Sequence, residues 1–225
     1  KTLRIKNFRV VGYTFLDKAW LEEINRASEI SKQKVLKSSR PKALLISRSI
    51  HPLFLSKQDH ATYMDIILSS FNEIGGATLF IKAHPREKIS KSELDEYNRS
   101  FPKVEVLQTN SHLLTISPKV DFVISFWSSG MLQSLCFNKP IIELGQPRDI
   151  GEGNVYDDNG NITSIYRKLG LAAPANSSEE FINLSNLALN EPNNSLWESQ
   201  REAFKKYCYV IEDSTNEILS FVENI

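Results

Sequence analysis

Five short apolar runs, at residues 42–47 (KALLIS), 77–82 (ATLFIK), 104–107, 121–125 (DFVIS) and 140–144 (PIIEL), punctuate the chain with little polar alternation. A strand that is apolar on both faces must be covered on both, which is the condition of a parallel sheet flanked by helices. Helical patterns occupy the intervals, at 58–74, 91–100, 112–117 and 129–137, and give a βαβ rhythm. The expected fold is α/β: a doubly wound, mainly parallel, Rossmann-like sheet of about five or six strands. C-terminal helices follow at 178–190, 195–207 and 214–224, each opening near a Ser, Asn or Asp cap candidate. Residues 16–36 read as a charged amphipathic helix. Residues 1–41 are thus a linker and helix entering one domain, 42–225.

Charge and cysteine content narrow the function classes. Lys plus Arg equals Asp plus Glu at 27 each, so no global field steers the chain toward nucleic acid, and none is expected as a partner. The two cysteines, Cys136 and Cys208, lie far apart in helical patterns, which points to a reducing, cytoplasmic setting rather than a disulfide framework. No run reaches the roughly 18 apolar residues of a membrane span, and no signal-peptide pattern opens the chain. Peripheral contact with an inner membrane is an option that the basic residues of 32–42 leave open, a solvated helix end being the simpler reading. Five Asn-x-Ser/Thr triplets, beginning at Asn98, Asn161, Asn176, Asn183 and Asn193, are ordinary for an Asn- and Ser-rich chain.

Ligands of open α/β sheets bind outside the carboxyl ends of the strands. His84, Pro85 and Arg86 follow the second strand, where proline keeps His84 extended and a His N–H and an Arg fork can both meet phosphate. Ser128 and Ser129 follow the fourth strand and open the 129–137 helix, whose N-terminal N–H groups and macrodipole favour an anion. Arg48, Ser49 and His51 follow the first strand and would face a diphosphate from the other side. Glu143 ends the fifth strand and can accept a ribose diol or stand as a solvated carboxylate. The Gly-rich stretch 145–161, with Arg148, Asp149, Glu152 and Asn154, reads as a loop suited to closing over a ligand, its charges otherwise solvated. Trp127 can stack on a base or pack in the core.

Other chemistries lack support. His60 and His112 lie in helical patterns without metal-ligand spacing, so neither a metal nor a cofactor is expected beyond the nucleotide-sugar substrate. G-x-S-x-G, Walker A and complete GxGxxG motifs are missing.

With His84-Pro85 and Ser128-Ser129 at strand ends and Lys139-Pro140-Ile141-Ile142-Glu143 closing the unit, the stretch 42–144 resembles the C-terminal, nucleotide-binding half of GT-B glycosyltransferases of bacterial surface polysaccharide synthesis. The likeness is closest to the sialyltransferase and Kdo-transferase type, and CDP-glycerol polymerases look similar. The segment 9–18 resembles the entry into that half. The resemblance implies that His84, Ser128 and Ser129 hold the donor phosphate, His84 stabilising the leaving group. It implies sugar transfer from a CMP-sugar to a saccharide or glycolipid acceptor. It also implies that the acceptor site, and in most such enzymes the general base, belong to an N-terminal half outside this chain, so that the isolated chain is an incomplete enzyme. A CDP-glycerol- or UDP-sugar-using transferase, a sugar-nucleotide epimerase, and a non-catalytic interaction domain of the same fold are the competing readings.

Overall fold

The computed structural model describes Gly12, Thr14 and residues 17–30, 39–208 and 213–223. Of the expectations for 1–41, six of the ten residues of the entry segment 9–18 fall outside these residues. So do the basic residues 32–38 and the last turn expected of the 16–36 helix. Its described part is α1 (Lys18–Ile30).

The apolar runs are strands because each buries alternate side chains against opposite layers. In β1 (Lys42–Ile46), Ala43 and Leu45 pack with Phe71, Ile67 and Phe181 on one face. Leu44 and Ile46 meet Met131, Leu135 and Ile116 on the other. The same division holds in β2 (Ala77–Lys82), with Leu79 and Ile81 on the first face and Phe80 on the second. Each of the Leu, Ile and Phe side chains contributes about 1.5–3 kcal/mol by leaving water.

β1 pairs in parallel with β2 and with β4 (Phe122–Ser125); β2 pairs with β3 (Val104–Gln108), β4 with β5 (Ile141–Leu144), and β5 with β8 (Ala173–Ala175). The six-stranded order is β3-β2-β1-β4-β5-β8. The direction of winding reverses between β1 and β4, so the loops leaving these two strands diverge and open a crevice. Helices α2 (Lys57–Glu73) and α3 (Lys91–Ser100) make the first crossovers, each opened by a serine capping box, Ser56/Asp59 and Ser90/Glu93. The return to β4 uses only the short α4 (Leu113–Ile116) and a 3-10 turn, Ser117–Lys119.

Three features depart from the sequence expectation. The helix expected at 129–137 is reduced to α5 (Met131–Leu135), and Asn138, at φ 56°, turns the chain into β5. The stretch 145–163 is partly structured, with a 3-10 turn at Gly151–Gly153 and a hairpin of β6 (Val155–Tyr156) and β7 (Ile162–Thr163). A short helix, α6 (Ile165–Lys168), then leads to the sixth strand, β8. The C-terminal helices α7 (Ser178–Asn190), α8 (Ser195–Cys208) and α9 (Ser214–Glu223) follow as expected.

Side chains complete the backbone pairing at both flanks of the sheet. Asn98 of α3 donates to the carbonyl of Val106 at 3.1 Å and accepts from its N–H at 2.8 Å. Buried Gln200 does the same for Ile141, at 2.8 and 3.0 Å. Among the described residues no helix is long and apolar enough to cross a membrane.

Candidate functional site

The carboxyl ends of β2, β1 and β4 stand side by side and deliver His84, Arg48 and Ser128 to one edge of the sheet. Arg48, from the middle strand, is half-buried. Its Nη1 donates to the carbonyl of Trp127 at 3.2 Å, and its guanidinium lies 4.4 Å from the centre of the Phe54 ring. Trp127 presents that carbonyl because its backbone sits at φ 51°, a conformation costing a bulky side chain about 1–3 kcal/mol. Its indole is anchored in the core, edge-on to Tyr63 at 6.0 Å.

After Trp127 the chain turns sharply. Ser128 N donates to the buried hydroxyl of Ser125 at 3.0 Å, and Gly130 N donates to Ser128 Oγ at 3.4 Å. The Ser128 hydroxyl thus accepts from its own loop and keeps its hydrogen for an outside acceptor. Gly130 packs closely here: a Cβ would fall 2.7 Å from Leu113 Cδ1, a side-chain end that would have to shift. The exposed Ser129 side chain lies beside the Tyr166 phenol, which is pushed up by burial. The long helix dipole expected behind Ser129 is not what supports this loop, because α5 is barely one turn.

On the other side, His84 is half-buried and Pro85 and Arg86 are exposed. Arg86 N donates to His84 Nδ1 at 3.2 Å, which leaves the ring proton on Nε2. His84 therefore caps its own turn and still offers Nε2–H as a donor. His51 does likewise: exposed, it accepts from Leu53 N through Nδ1 at 3.2 Å and rests on Phe54, ring centres 5.0 Å apart. Ser49 is half-buried between Arg48 and the turn.

Glu143 differs from its expected placement. It has no solvent-accessible surface, and its Oε1 lies 2.7 Å from Arg167 Nε, so it is neither a solvated strand end nor an open acceptor for a ribose. The contact is a charge pairing, off the hydrogen-bond axis. Burial pushes the Glu143 carboxyl up, opposed by the Arg167 charge. Arg167 also donates to the carbonyls of Glu143 and Gly145 and to Asn176 Oδ1, tying the start of the 145–163 loop to the sheet.

That loop is pinned rather than free. Arg148 donates to Asp59 at 2.9 Å and to the carbonyl of Pro52 at 3.1 Å, and Asp149 accepts from Gly151 N and from Asn154. Gly145, at φ 95°, passes so close to Tyr63 that a Cβ would lie 2.3 Å from the ring. Glu152 is exposed on the outside. Between this loop and Arg48 lies a cleft of about 260 Å³, lined by Arg48, Phe54, Trp127, Ile150, Ile162 and Tyr166. It is mostly apolar and aromatic, with Arg48 and Arg148 also in its lining and Ser129 beside Tyr166.

Sequence reasoning missed Tyr166 and Arg167, in a stretch without periodicity, and Glu87, which lies three residues beyond His84. Glu87 Oε2 accepts from Ser47 Oγ at 2.8 Å, and Oε1 lies 3.1 Å from His60 Nε2. Burial raises the Glu87 carboxyl, but the His60 and Ser47 hydrogen bonds outweigh it and hold the group below its ordinary value. Among the described residues no group of three or more His, Cys, Asp or Glu is placed to hold a metal ion.

No protein-family model matches the chain, and no curated protein matches it. Solved structures do. A UDP-GlcNAc 2-epimerase from Neisseria meningitidis bound to UDP-GlcNAc is 15% identical, with a TM-score of 0.58 over 96% of this chain and 55% of that one. A glycosyltransferase from Rickettsia africae is 12% identical, with a TM-score of 0.54 over 96% and 55%. Anabaena Alr3699/HepE, in complex with UDP and glucose, is 12% identical, with a TM-score of 0.51 over 91% and 53%. The chain spans about half the length of these structures. What it shares with these GT-B-type enzymes is the fold, a Rossmann-like α/β unit with its switch point between β1 and β4.

Proposed function

We propose that this chain binds the nucleotide end of a nucleoside-diphosphate sugar for an enzyme that breaks the sugar–phosphate bond and transfers the sugar to a saccharide or glycolipid hydroxyl. The observation that carries this reading is the position of Arg48 between the His84 and Ser128 loops. Those two loops leave strands on either side of β1, hence about 10 Å apart at the strand spacing of parallel sheets. One phosphate does not span such a gap. Two linked phosphates do, with Arg48 at the middle.

In this arrangement His84 Nε2–H and the Ser128 hydroxyl are fixed donors aimed at the charge that grows on the leaving phosphate. Each such donor is worth about 3 kcal/mol in a preorganised site. The aromatic cleft lined by Phe54, Trp127 and Tyr166 has the character of a base or sugar pocket. A nucleoside-diphosphate donor replaces the CMP-sugar that the motif resemblance implied. Phosphate charge is met by Arg48 and N–H or O–H donors, so binding should persist in a chelator.

The likeness to a UDP-GlcNAc 2-epimerase favours a second reading, sugar-nucleotide epimerisation, which uses the same nucleotide site. Incubating an enzyme that carries this unit together with its other half with UDP-GlcNAc and a saccharide acceptor, and following the sugar by NMR, separates the two, since a 2-epimer and a transferred sugar give different anomeric signals.

The binding reading is tested by calorimetry with CMP, CDP, UMP and UDP, repeated in EDTA and on His84→Ala. A diphosphate bound at least about tenfold more tightly than its monophosphate, and weakened in the variant, is expected. Equal binding of CMP and CDP would return the CMP-sugar donor. No binding by any of the four would leave an interaction domain with the same fold.

A further inference from the structure

We infer that Glu87 is a positioning residue: one carboxylate that holds both the His84 loop and the Arg48 loop in the geometry needed for an anionic ligand. The consequence for ligand binding rests on the function proposed above for His84.

Three elements converge on this carboxylate. From the end of β1, Ser47 Oγ donates to Oε2 at 2.8 Å, one residue before Arg48. From α2, His60 Nε2 stands 3.1 Å from Oε1. From the β2 loop, His84 N approaches Oε2 at 3.4 Å, while Glu87 N donates back to the His84 carbonyl at 2.8 Å. The turn that orients the imidazole is therefore closed by both the backbone and the side chain of Glu87. Ser47 is almost fully buried, and the Glu87 and His60 side chains are only 11% and 15% exposed.

Burying a carboxylate this far costs desolvation energy that an apolar side chain of similar volume avoids. What the charge adds is geometry, because it fixes two strand-end loops relative to each other. The group is not a nucleophile's triad. Glu87, not His60, stands in the centre, and the Ser47 Oγ to His60 Nε2 distance is 3.5 Å. His84 is also fixed in tautomer, since Arg86 N occupies Nδ1 only while the turn that Glu87 closes is intact.

Two measurements on the full chain test this. Long-range ¹H–¹⁵N NMR of the imidazoles should show His84 as a single Nε2–H tautomer in the wild type and as an exchanging mixture in Glu87→Ala. The isosteric Glu87→Gln, which keeps an acceptor for Ser47 and His84 N, should retain most of the single form. Calorimetry with the tighter binder of UDP and CDP should show Glu87→Ala weakening binding about tenfold or more, with Glu87→Gln in between. The same Ala substitution in a His84→Ala background should cost clearly less affinity than in the wild type, the remainder being the share of the Arg48 loop, which Ser47 still ties to Glu87. An unchanged tautomer in Glu87→Ala, or an equal loss of affinity in both backgrounds, overturns the inference. If Glu87→Ala does not fold, His60→Asn, which removes one arm of the same network, takes its place with the same expectations. If the wild type binds no nucleotide, the proposed function fails while the tautomer measurement still decides the role of Glu87.

Discussion

Arg48 and Trp127, 79 residues apart in sequence, meet across the switch point through a 3.2 Å hydrogen bond that a left-handed tryptophan backbone makes possible. A strained residue held by an arginine that also lines a cleft is a feature of ligand sites more than of cores.

Replacing Arg48 with Gln should therefore cost more for a diphosphate than for a monophosphate. Hydrogen bonds to charged groups contribute about 1.5–3 kcal/mol, or roughly 10- to 150-fold in affinity. Titrating the variant with UDP and UMP checks this, and an equal loss for both would remove Arg48 from the phosphate site.

The Glu143–Arg167 pair predicts a large effect on stability. Arg167→Ala strands a carboxylate with no access to solvent and frees the start of the 145–163 loop, so unfolding in urea should show a loss of about 3–5 kcal/mol. The double change Glu143→Gln with Arg167→Met should be markedly milder. A loss below about 1 kcal/mol for Arg167→Ala would contradict this account of the loop.

Acid should weaken the contribution of Glu87. Its carboxyl is held below the ordinary 4.5 in the folded chain, so the unfolded state takes up its proton first. The stabilisation is complete above about pH 4.5 and falls as pH drops through the lower folded value. The gap in urea midpoint between wild type and Glu87→Gln should be widest near neutral pH and shrink toward pH 3. A gap that widens on acidification would reverse the assignment.

Cys136 should be chemically quiet. Burial pushes its thiol up to about 12, and that of Cys208 is raised by the same cause. At pH 8 only about one Cys136 in ten thousand is then a thiolate. Iodoacetamide should label the native chain far more slowly than the urea-unfolded chain, with mass spectrometry locating the adduct. Fast native labelling at Cys136 would show that α5 opens readily.

The sheet was legible because Ala43–Ile46, Leu79–Ile81 and Phe122–Ile124 are apolar on both faces, a pattern with one physical solution. β8 was not legible: Ala173-Pro174-Ala175 is too short to show periodicity, and its proline argues against a strand unless it lies at an edge, where it does lie. The helix expected at 129–137 was read too long because Leu132, Leu135 and Cys136 keep helical spacing, whereas the tight turn at Ser128–Gly130 and the left-handed Asn138 shorten it from both ends. His84, Arg48 and Ser128 were recognisable because strand ends can be counted along a sequence. The partners that set their geometry, Glu87 with His60 and Tyr166 with Ser129, depend on contacts between elements that no local pattern encodes. Glu143 shows the same limit: its residue type suited a ligand, and a partner 24 residues away made it part of the interior.

Each margin of the sheet is blunted at one outward position. At the β3 margin the Asn98 amide already occupies the outward N–H and C=O of Val106, as a neighbouring strand would. At the β8 margin Pro174 has no N–H to offer. Edge-to-edge pairing is the usual route by which α/β domains fuse their sheets or seed fibrils. Those two positions hinder that route, and they leave the helices and the loop-bearing rim as the surfaces better suited to specific assembly.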